Sequence, residues 1–479
     1  MSALSDQRRS LNKKTITGLV LLGILSVLVW LIPGMIGFDA SVSLRLLAIV
    51  LLSIYIVLAF EIVHRTVIVL IAATIAIIIG ITTGLFEAEK SFEFAIHSVD
   101  FNTIGLLLGM MIIVTILAET GIFQYIGIKM SKASKGNMWK LLVMMSVFTA
   151  VVSMFIDNVT TVLLMIPVTI SIFKTFRMSP IPFILAQVLA SNIGGTATLI
   201  GDPPNIMIGS AAGIDFNTFL IHMGPTIGVS LIVSLALFKV FFRKDLKMAP
   251  QNMEEIMSQD EKSFIKDKSL LMKSLLVLFG TIALFVVHGA LHLEPSIIAL
   301  GGAGVLLLIS KMKPEKIFHE VDWSTLIFFA CLFITISVGR ESGMINVLAK
   351  VALGITEGNP WANFFMITWL SAIASSFVDN IPFAATMIPL IEVLNQNPVI
   401  AAEFSHTISP LWWALSLGAG LGGNGTLIGS SAGIIAIGLA EKHGYRITFN
   451  QFFKIGFPFM LITVAAGSIV LMIDVMLKL

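Results

Sequence analysis

Charge is what this sequence has least of. Of its 479 residues only 12% are Asp, Glu, Lys or Arg, while 57% are hydrophobic, and the mean hydropathy is +0.97. Soluble domains carry about 25% charged residues, so a soluble globule could not cover this much apolar surface. Disorder is excluded by the same figures, because it needs low hydrophobicity and high charge. The formal net charge is +2 and no Lys/Arg cluster dominates, which argues against nucleic acid as a partner. Cysteine is nearly absent: Cys331, alone, excludes an internal disulfide framework and a Cys-based metal cage and reads as a small apolar filler. A signal-peptide cleavage site is missing as well. The first apolar stretch follows Arg8, Arg9, Lys13 and Lys14 and continues to about Phe38, as a retained first span does. No nucleophile–base pair or metal motif stands out, so no enzyme and no cofactor is expected. What remains is an all-α polytopic membrane protein in a lipid bilayer.

A span needs about 20 apolar residues. Candidates are 15–36, 43–60, 65–84, 102–119, 223–242, 270–288, 296–310, 323–340 and 455–476. With two glycine-interrupted spans, 181–212 and 408–440, about 11 transmembrane helices are expected. The polar stretch 243–269 is a cytoplasmic linker between two halves. Basic loops mark the cytoplasmic side. The N-terminal Arg and Lys residues, Lys129 to Lys140, Arg243 to Lys247, Lys311 to Lys316, and Lys442 with Arg446 all fall inside under one alternating assignment. Arg45, Arg340 and Lys350 are minor exceptions. The expectation is a plasma (inner) membrane protein with its N-terminus cytoplasmic and its C-terminus outside.

Two segments fit neither one span nor two. The apolar run 141–173 would measure about 50 Å as a single helix, against a hydrocarbon core of about 30 Å. Its flanks, Lys140 on one side and Lys174 and Arg177 on the other, both favour the cytoplasm. A re-entrant hairpin satisfies this, with its tip at Asp157-Asn158. The run 361–394 repeats the design, with its tip at Asp379-Asn380 and with Pro382 suited to the first turn of the returning helix. Such backbone is tolerated at membrane depth only where protein or a wet cavity surrounds it. The glycines of 192–205 and 418–429 predict unwound breaks. Gly418, Gly420 and Gly423 match G-x-G-x-x-G, but no β-α-β context surrounds them, so a dinucleotide site is rejected.

The halves repeat. At an offset of 379 − 157 = 222, Asp157-Asn158 meets Asp379-Asn380, Glu119 meets Glu341, Gly121 meets Gly343 and Pro167 meets Pro389. At 429 − 201 = 228, Gly194-Gly195 meets Gly422-Gly423, and Thr198 to Gly201 meets Thr426 to Gly429. An odd number of spans separates the copies, so they are inverted. Inverted repeats with discontinuous helices are the plan of secondary transporters.

The tips and breaks are expected to meet at the midplane. Candidate substrate- and ion-binding residues are Asp157, Asn158 and Thr161 in the first tip and Asn192, Gly194, Gly195, Thr196, Thr198 and Asp202 in the first break. Asp379 and Asn380 follow in the second tip, and Gly422, Gly423, Asn424 and Thr426 in the second break. A carboxylate at the bilayer centre costs about 2.5–3.5 kcal/mol on insertion scales, so Asp157 and Asp379 need a partner or a proton. They are the expected coupling residues, and Asp also caps helices well. Asp157, Asn158, Thr198, Asp379, Asn380 and Asn424 are the candidate Na+ ligands, and H+ is the other candidate coupling ion. Asp202, beside Pro203-Pro204, reads equally as a site residue or a cap. Glu119, Glu341, His97, His222, His288 and His292 read as interfacial, and Arg340 as an ion-pair partner of Glu341.

Three stretches carry a family resemblance: Asp157 to Leu164, Asn192 to Asn205 with its Gly201-Asp202-Pro203-Pro204-Asn205 ending, and Leu421 to Gly429. They resemble the ion transporter superfamily, and within it the arsenite permease and sodium–proton antiporter group with its P protein branch. The resemblance implies scaffold and transport domains, an elevator motion and a homodimer. The organisation expected is scaffold spans in 1–98, a first repeat in 99–242, the linker, scaffold spans in 270–320 and a second repeat in 321–479. Sodium-coupled dicarboxylate relatives carry Ser-Asn-Thr at these tips, whereas this chain has Asp157-Asn158-Val159 and Asp379-Asn380-Ile381. The departure favours proton- or Na+-coupled antiport of a small inorganic ion, such as arsenite or antimonite, or Na+/H+ exchange. Na+-coupled uptake of citrate or a dicarboxylate is the alternative, and an ion channel is the alternative of another class.

Overall fold

The computed structural model describes residues 2–35, 40–60 and 62–478, and their side chains except those of 2–14 and 32–35. The expected end of the first span at 36, and the side chains of Arg8, Arg9, Lys13 and Lys14, therefore lie outside the described residues. Every regular element among the described residues is helical. The chain begins with α1 (Ser2–Met35), α2 (Val42–Ala59), α3 (Arg65–Thr82) and α4 (Ser91–Ser98). Next come α5 (Phe101–Glu119), α6 (Ile122–Ser134), α7 (Met138–Ser153), α8 (Asn158–Thr175), α9 (Ile181–Gly195), α10 (Pro203–Ala212) and α11 (Phe216–Phe241). The connecting region holds α12 (Met253–Ser258), α13 (Lys268–Leu291), α14 (Pro295–Ser310) and α15 (Pro314–Glu320). The chain closes with α16 (Trp323–Glu341), α17 (Met344–Thr356), α18 (Pro360–Phe377), α19 (Asn380–Asn395), α20 (Pro398–Glu403), α21 (Pro410–Gly422), α22 (Ser431–Lys442) and α23 (Phe449–Met476).

Eight of these helices (α2, α3, α5, α8, α11, α13, α16 and α23) are long and apolar enough to cross a membrane, and several shorter apolar helices accompany them. Three starts differ from the sequence reading, the span expected from 15 lying in a helix that begins at Ser2. The spans expected from 223 and 455 begin at Phe216 and Phe449, and Pro225 and Pro458 stand inside the helices. Polar caps extend them: Asp215 accepts from the Thr218 N–H at 2.7 Å, and Thr448 with Gln451 forms a capping box. Helices α6 and α17 carry no long apolar run and were not anticipated. Each starts from a left-handed glycine, Gly121 at φ +82° and Gly343 at φ +81°, a conformation other residues adopt at a cost. The starts of α5 to α8 recur at α16 to α19 with an offset of 323 − 101 = 222.

The chain divides into two compact units. The first comprises Met1–Asp100, Asp322–Asn363 and Ala385–Glu403. In it α3 packs along α16 and α2, and Arg65 donates to Thr325 Oγ1 at 2.6 Å and pairs with Asp322. Arg340 pairs with Glu392 at 2.8 Å, not with Glu341 beside it as the sequence had it, since neighbouring residues on a helix point apart. The second unit comprises Phe101–Val321, Phe364–Ala384 and Phe404–Leu479. In it α5 packs on α14, α7 on α9 and α11 on α23. Both breaks and both tips belong to this unit.

Candidate functional site

The first tip is the turn between α7 and α8. Asp157 caps α8, its Oδ1 accepting from the Thr160 N–H at 2.9 Å and its Oδ2 from the Thr160 hydroxyl at 2.5 Å. Two hydroxyls fasten the tip to the first break: Ser153 donates to the Ser191 carbonyl at 2.7 Å, and Thr198 donates to the Met154 carbonyl. The second tip is fastened by the repeat mates of these groups. Ser375 donates to the Ala419 carbonyl at 2.8 Å, and Thr426 donates to the Ser376 carbonyl. Each hairpin thus ends against the interruption of a broken span. With 18 residues, α8 is about 27 Å long, close to the thickness of a hydrocarbon core. Length alone would make it a span.

The breaks are shorter than the glycines predicted. Helix α9 runs through Asn192, Gly194 and Gly195, and α21 runs through Gly418, Gly420 and Gly422. These glycines serve contact, not unwinding. A Cβ on Gly194 would lie 2.0 Å from the Ala150 carbonyl oxygen, one on Gly422 would lie 2.7 Å from that of Ala372, and one on Gly420 would lie 2.2 Å from Thr196 Oγ1. The unwound stretches are 196–202 and 423–430.

At the centre stands Asp202, 1% exposed. Asn158, from the first tip, donates to its Oδ1 at 3.3 Å, and Asn380, from the second, donates to its Oδ2 at 3.0 Å. One carboxylate therefore holds both tips. A chain of amides runs on from it. Asn158 also donates to Asn192 Oδ1 at 3.0 Å, and Asn192 donates to Asn424 Oδ1 at 2.9 Å and to Ser430 Oγ at 3.0 Å. Asn424 donates in turn to the Leu189 carbonyl at 3.3 Å. Asp379 accepts from the Ser431 hydroxyl at 2.6 Å and from the Ile381 N–H at 3.2 Å. Asp157 and Asp379 both lie close enough for their charges to act on Asp202.

Asp202 occupies the N-cap position of α10, yet its side chain makes no capping bond. A capping side chain accepts from the second or third helical N–H. Pro204 has no N–H to offer, and the N–H of Asn205 bonds the Asp202 carbonyl at 2.9 Å. The side chain is thereby free for the two asparagines. Its repeat mate, Ser430, has the same extended backbone but caps α22 through Gly433.

Four helix N-termini (α8, α10, α19, α22) and four C-termini (α7, α9, α18, α21) end around this centre. Each end carries about half an elementary charge, and equal numbers of both signs cancel. Side chains then decide, and they are three carboxyls among amides and hydroxyls. Among the described residues no Lys, Arg or His pairs with Asp202, and no group of three or more His, Cys, Asp or Glu is arranged to hold a metal ion.

The other expected site residues are also buried. Thr161 and Thr196 turn their hydroxyls to their own backbone, at Ile156 and Asn192, and Gly423 lies against the Gly429 carbonyl. The sequence reading missed Ser430, Ser431, Asn205 and Ser416. Asn205 donates to the Gly195 and Thr198 carbonyls, bridging the first break, and accepts from the Ser416 hydroxyl at 2.7 Å. The 228-residue offset, applied to Asp202 and Pro203, would have located Ser430 and Ser431. His222, expected at an interface, is buried: it stacks on Trp413 with ring centroids 4.6 Å apart and bonds Asp474 at 2.6 Å. His288, also read as interfacial, is buried and accepts from the Phe216 N–H.

Comparison with known proteins agrees with this architecture. A family model described as a citrate transporter matches residues 55–418. A protein of Mycobacterium tuberculosis named as an uncharacterized transporter is 37% identical over 419 residues, covering 87% of this chain and 95% of that protein. The P protein of Mus musculus is 34% identical over 501 residues, covering 88% of this chain and 59% of the P protein. The crystal structure of the Alcanivorax borkumensis YdaH transporter shares the fold, with a TM-score of 0.57 at 13% identity, covering 86% of this chain and 98% of that one.

Proposed function

The chain belongs to the citrate transporter family, a family of membrane transporters and not of enzymes, and on that premise we propose that it is a secondary active antiporter. It exchanges H+ or Na+ for a small inorganic ion, of the arsenite or antimonite type or as Na+ against H+, by alternating access. The observation that carries this reading is the meeting of both tips at one buried carboxylate of the first break, with the second break joined to them through Asn424, Asn192 and Asn158. Carboxyls, amides and hydroxyls suit a proton, a small cation or a neutral hydroxide, whereas a polyanion finds no cationic side chain paired with Asp202 among the described residues. The membrane is the plasma (inner) membrane, the N-terminus is cytoplasmic, and the protein works as a homodimer with an elevator motion.

The description of the matched family favours a second reading, Na+-coupled citrate transport. Proteoliposomes with an imposed pH gradient, assayed in parallel for arsenite, antimonite, Na+ and citrate, separate the two. Flux of one of the first three, driven by the gradient, is the expected result. Citrate uptake that requires Na+ would replace it with the second reading, and single-channel currents would replace both.

A further inference from the structure

The cations of this chain are unevenly supplied with acids. Lys132 pairs with Glu261, Lys316 with Glu119 and Arg340 with Glu392. At the end of α11 the pattern differs. Lys239 lies in the last turn of that helix, and Arg243, Lys244 and Lys247 follow it. The Phe242 side chain is buried, and the Leu246 N–H donates back to the Phe242 carbonyl at 3.0 Å. The turn Asp245–Lys247 packs on α7, and Pro250 lies beside Gly136, just before α7 begins. The segment therefore crosses the start of α7, where Lys140 stands. The Lys239 ammonium sits over the Trp139 ring, 5.6 Å from its centroid, a cation–π distance. All five cations are exposed, and among the described residues none makes an ion pair or a side-chain hydrogen bond.

The acids of 243–269 are placed elsewhere, with one exception. Glu261 is taken by Lys132, and Glu254 and Glu255 ride on α12, which packs against α6 and α8. Asp260 and Asp267 accept from the Lys262 and Leu270 N–H groups. Asp245 stays with the cations, so the group carries 5 − 1 = +4. Backbone dipoles leave this unchanged, because the C-terminus of α11 and the N-terminus of α7 carry about half a charge each, of opposite sign. Ile232, Ala236, Lys239 and Val240 are all exposed, and their i, i+4, i+7, i+8 spacing puts them on one face of α11. An apolar strip on a helix fit to cross a membrane thus leads up to the cations. Trp139 stands at the junction, as tryptophan does at a membrane–water boundary. We propose that this corner of α7 and α11 binds an anionic phospholipid, its headgroup phosphate held by the five cations and its acyl chains laid along Ile232, Ala236 and Val240. Basic pockets between membrane helices hold such headgroups. A free phosphate would use the cations alone, so the adjoining apolar strip is what selects a lipid.

Thermal unfolding of the full chain in a neutral detergent, with added phosphatidylglycerol or phosphatidylcholine, tests this. Phosphatidylglycerol should raise Tm by several degrees more than phosphatidylcholine, and inorganic phosphate at the same concentration should leave Tm unchanged. The excess should vanish when Lys239, Arg243, Lys244 and Lys247 are all changed to Gln. It should persist when Lys311, Lys313, Lys442 and Arg446 are changed instead. An excess that survives the first set, or falls equally with both, overturns the proposal, and so does an equal rise with inorganic phosphate. A second measurement uses lipids brominated in their acyl chains, mixed into phosphatidylcholine vesicles holding the protein. Brominated phosphatidylglycerol should quench tryptophan fluorescence more than brominated phosphatidylcholine at the same mole fraction, and Trp139→Phe should remove most of that difference. A difference that Trp139→Phe leaves intact places the lipid elsewhere and overturns the proposal. This arm keeps every cation in place and decides even if the fourfold variant does not fold. Neither measurement involves flux, so failure of the antiport reading leaves both results standing.

Discussion

The two breaks are built on one plan and finished differently. Each is reached by a hydroxyl from the tip, each returns a threonine to a tip carbonyl, and each opens a half-helix from an extended N-cap residue. The second uses its cap residue, Ser430, as a cap. The first replaces serine with Asp202 and follows it with two prolines, so the carboxylate is withdrawn from its own helix and shared between the tips. Asn192 differs in the same way. Its repeat mate is Gly420, where no side chain fits beside Thr196. The scaffold of the site is therefore symmetric, while Asp202 and Asn192 of the first repeat stand where the second has Ser430 and Gly420.

The sharpest way to break the comparison is to fill the closest helix contacts. A Cβ at Gly194 would meet backbone, 2.0 Å from the Ala150 oxygen, whereas at Gly422 the nearest atom is at 2.7 Å. Overpacking of a tight core costs about 1–3 kcal/mol and occasionally more. Gly194→Ala is expected at or above about 3 kcal/mol and Gly422→Ala nearer 1. Thermal unfolding in detergent should show the larger fall for Gly194→Ala. Equal losses would mean that the first repeat is not the tighter one.

Much of this plan was legible in the sequence, and the illegible parts have physical causes. The tips were found because Asp157-Asn158 and Asp379-Asn380 recur at one offset inside runs too long for one span. Asp202 remained ambiguous because its partners, Asn158 and Asn380, lie 44 and 178 residues away in sequence. No local pattern reports a carboxylate turned from its own helix. The glycines were read as unwinding, since composition does not distinguish a helix that bends from one that packs closely. Helices α6 and α17 escaped because hydropathy finds long apolar runs, although Gly121 and Gly343 had already matched. The partner of His222 was not legible because Asp474, which bonds it, is 252 residues distant.

A milder comparison uses the paired threonines. Thr198→Val and Thr426→Val each remove one hydroxyl bond to a tip carbonyl and leave that carbonyl short of a donor. Each should lower stability by about 1 kcal/mol, read as a fall in Tm, with the larger fall for Thr426→Val, because the Thr426 hydroxyl also accepts from the Ile428 N–H at 3.2 Å. Equal falls would show that this extra bond adds nothing and that the two fastenings are energetically equivalent.

The smallest effect concerns the base of the first hairpin, where the linker is strapped on. The Gln251 N–H donates to the Phe176 carbonyl, the Lys266 N–H donates to the Thr120 carbonyl, and Lys132 reaches both the Gln259 carbonyl and Glu261, the latter at 2.6 Å. The Lys132 ammonium holds the Glu261 carboxyl below the usual carboxylate range. A carboxyl lowered on folding contributes its stabilisation above its unfolded value and loses it as pH falls through the folded one. The strap should therefore be fully docked at neutral pH and loosen below the ordinary carboxylate range. Glu261→Gln should remove that pH dependence, and added salt should weaken it because the pair faces solvent. Hydrogen exchange at the Lys266 amide, followed against pH, reads the change directly. Protection that falls identically in wild type and Glu261→Gln would detach the pH response from this ion pair and assign it to the backbone bonds alone.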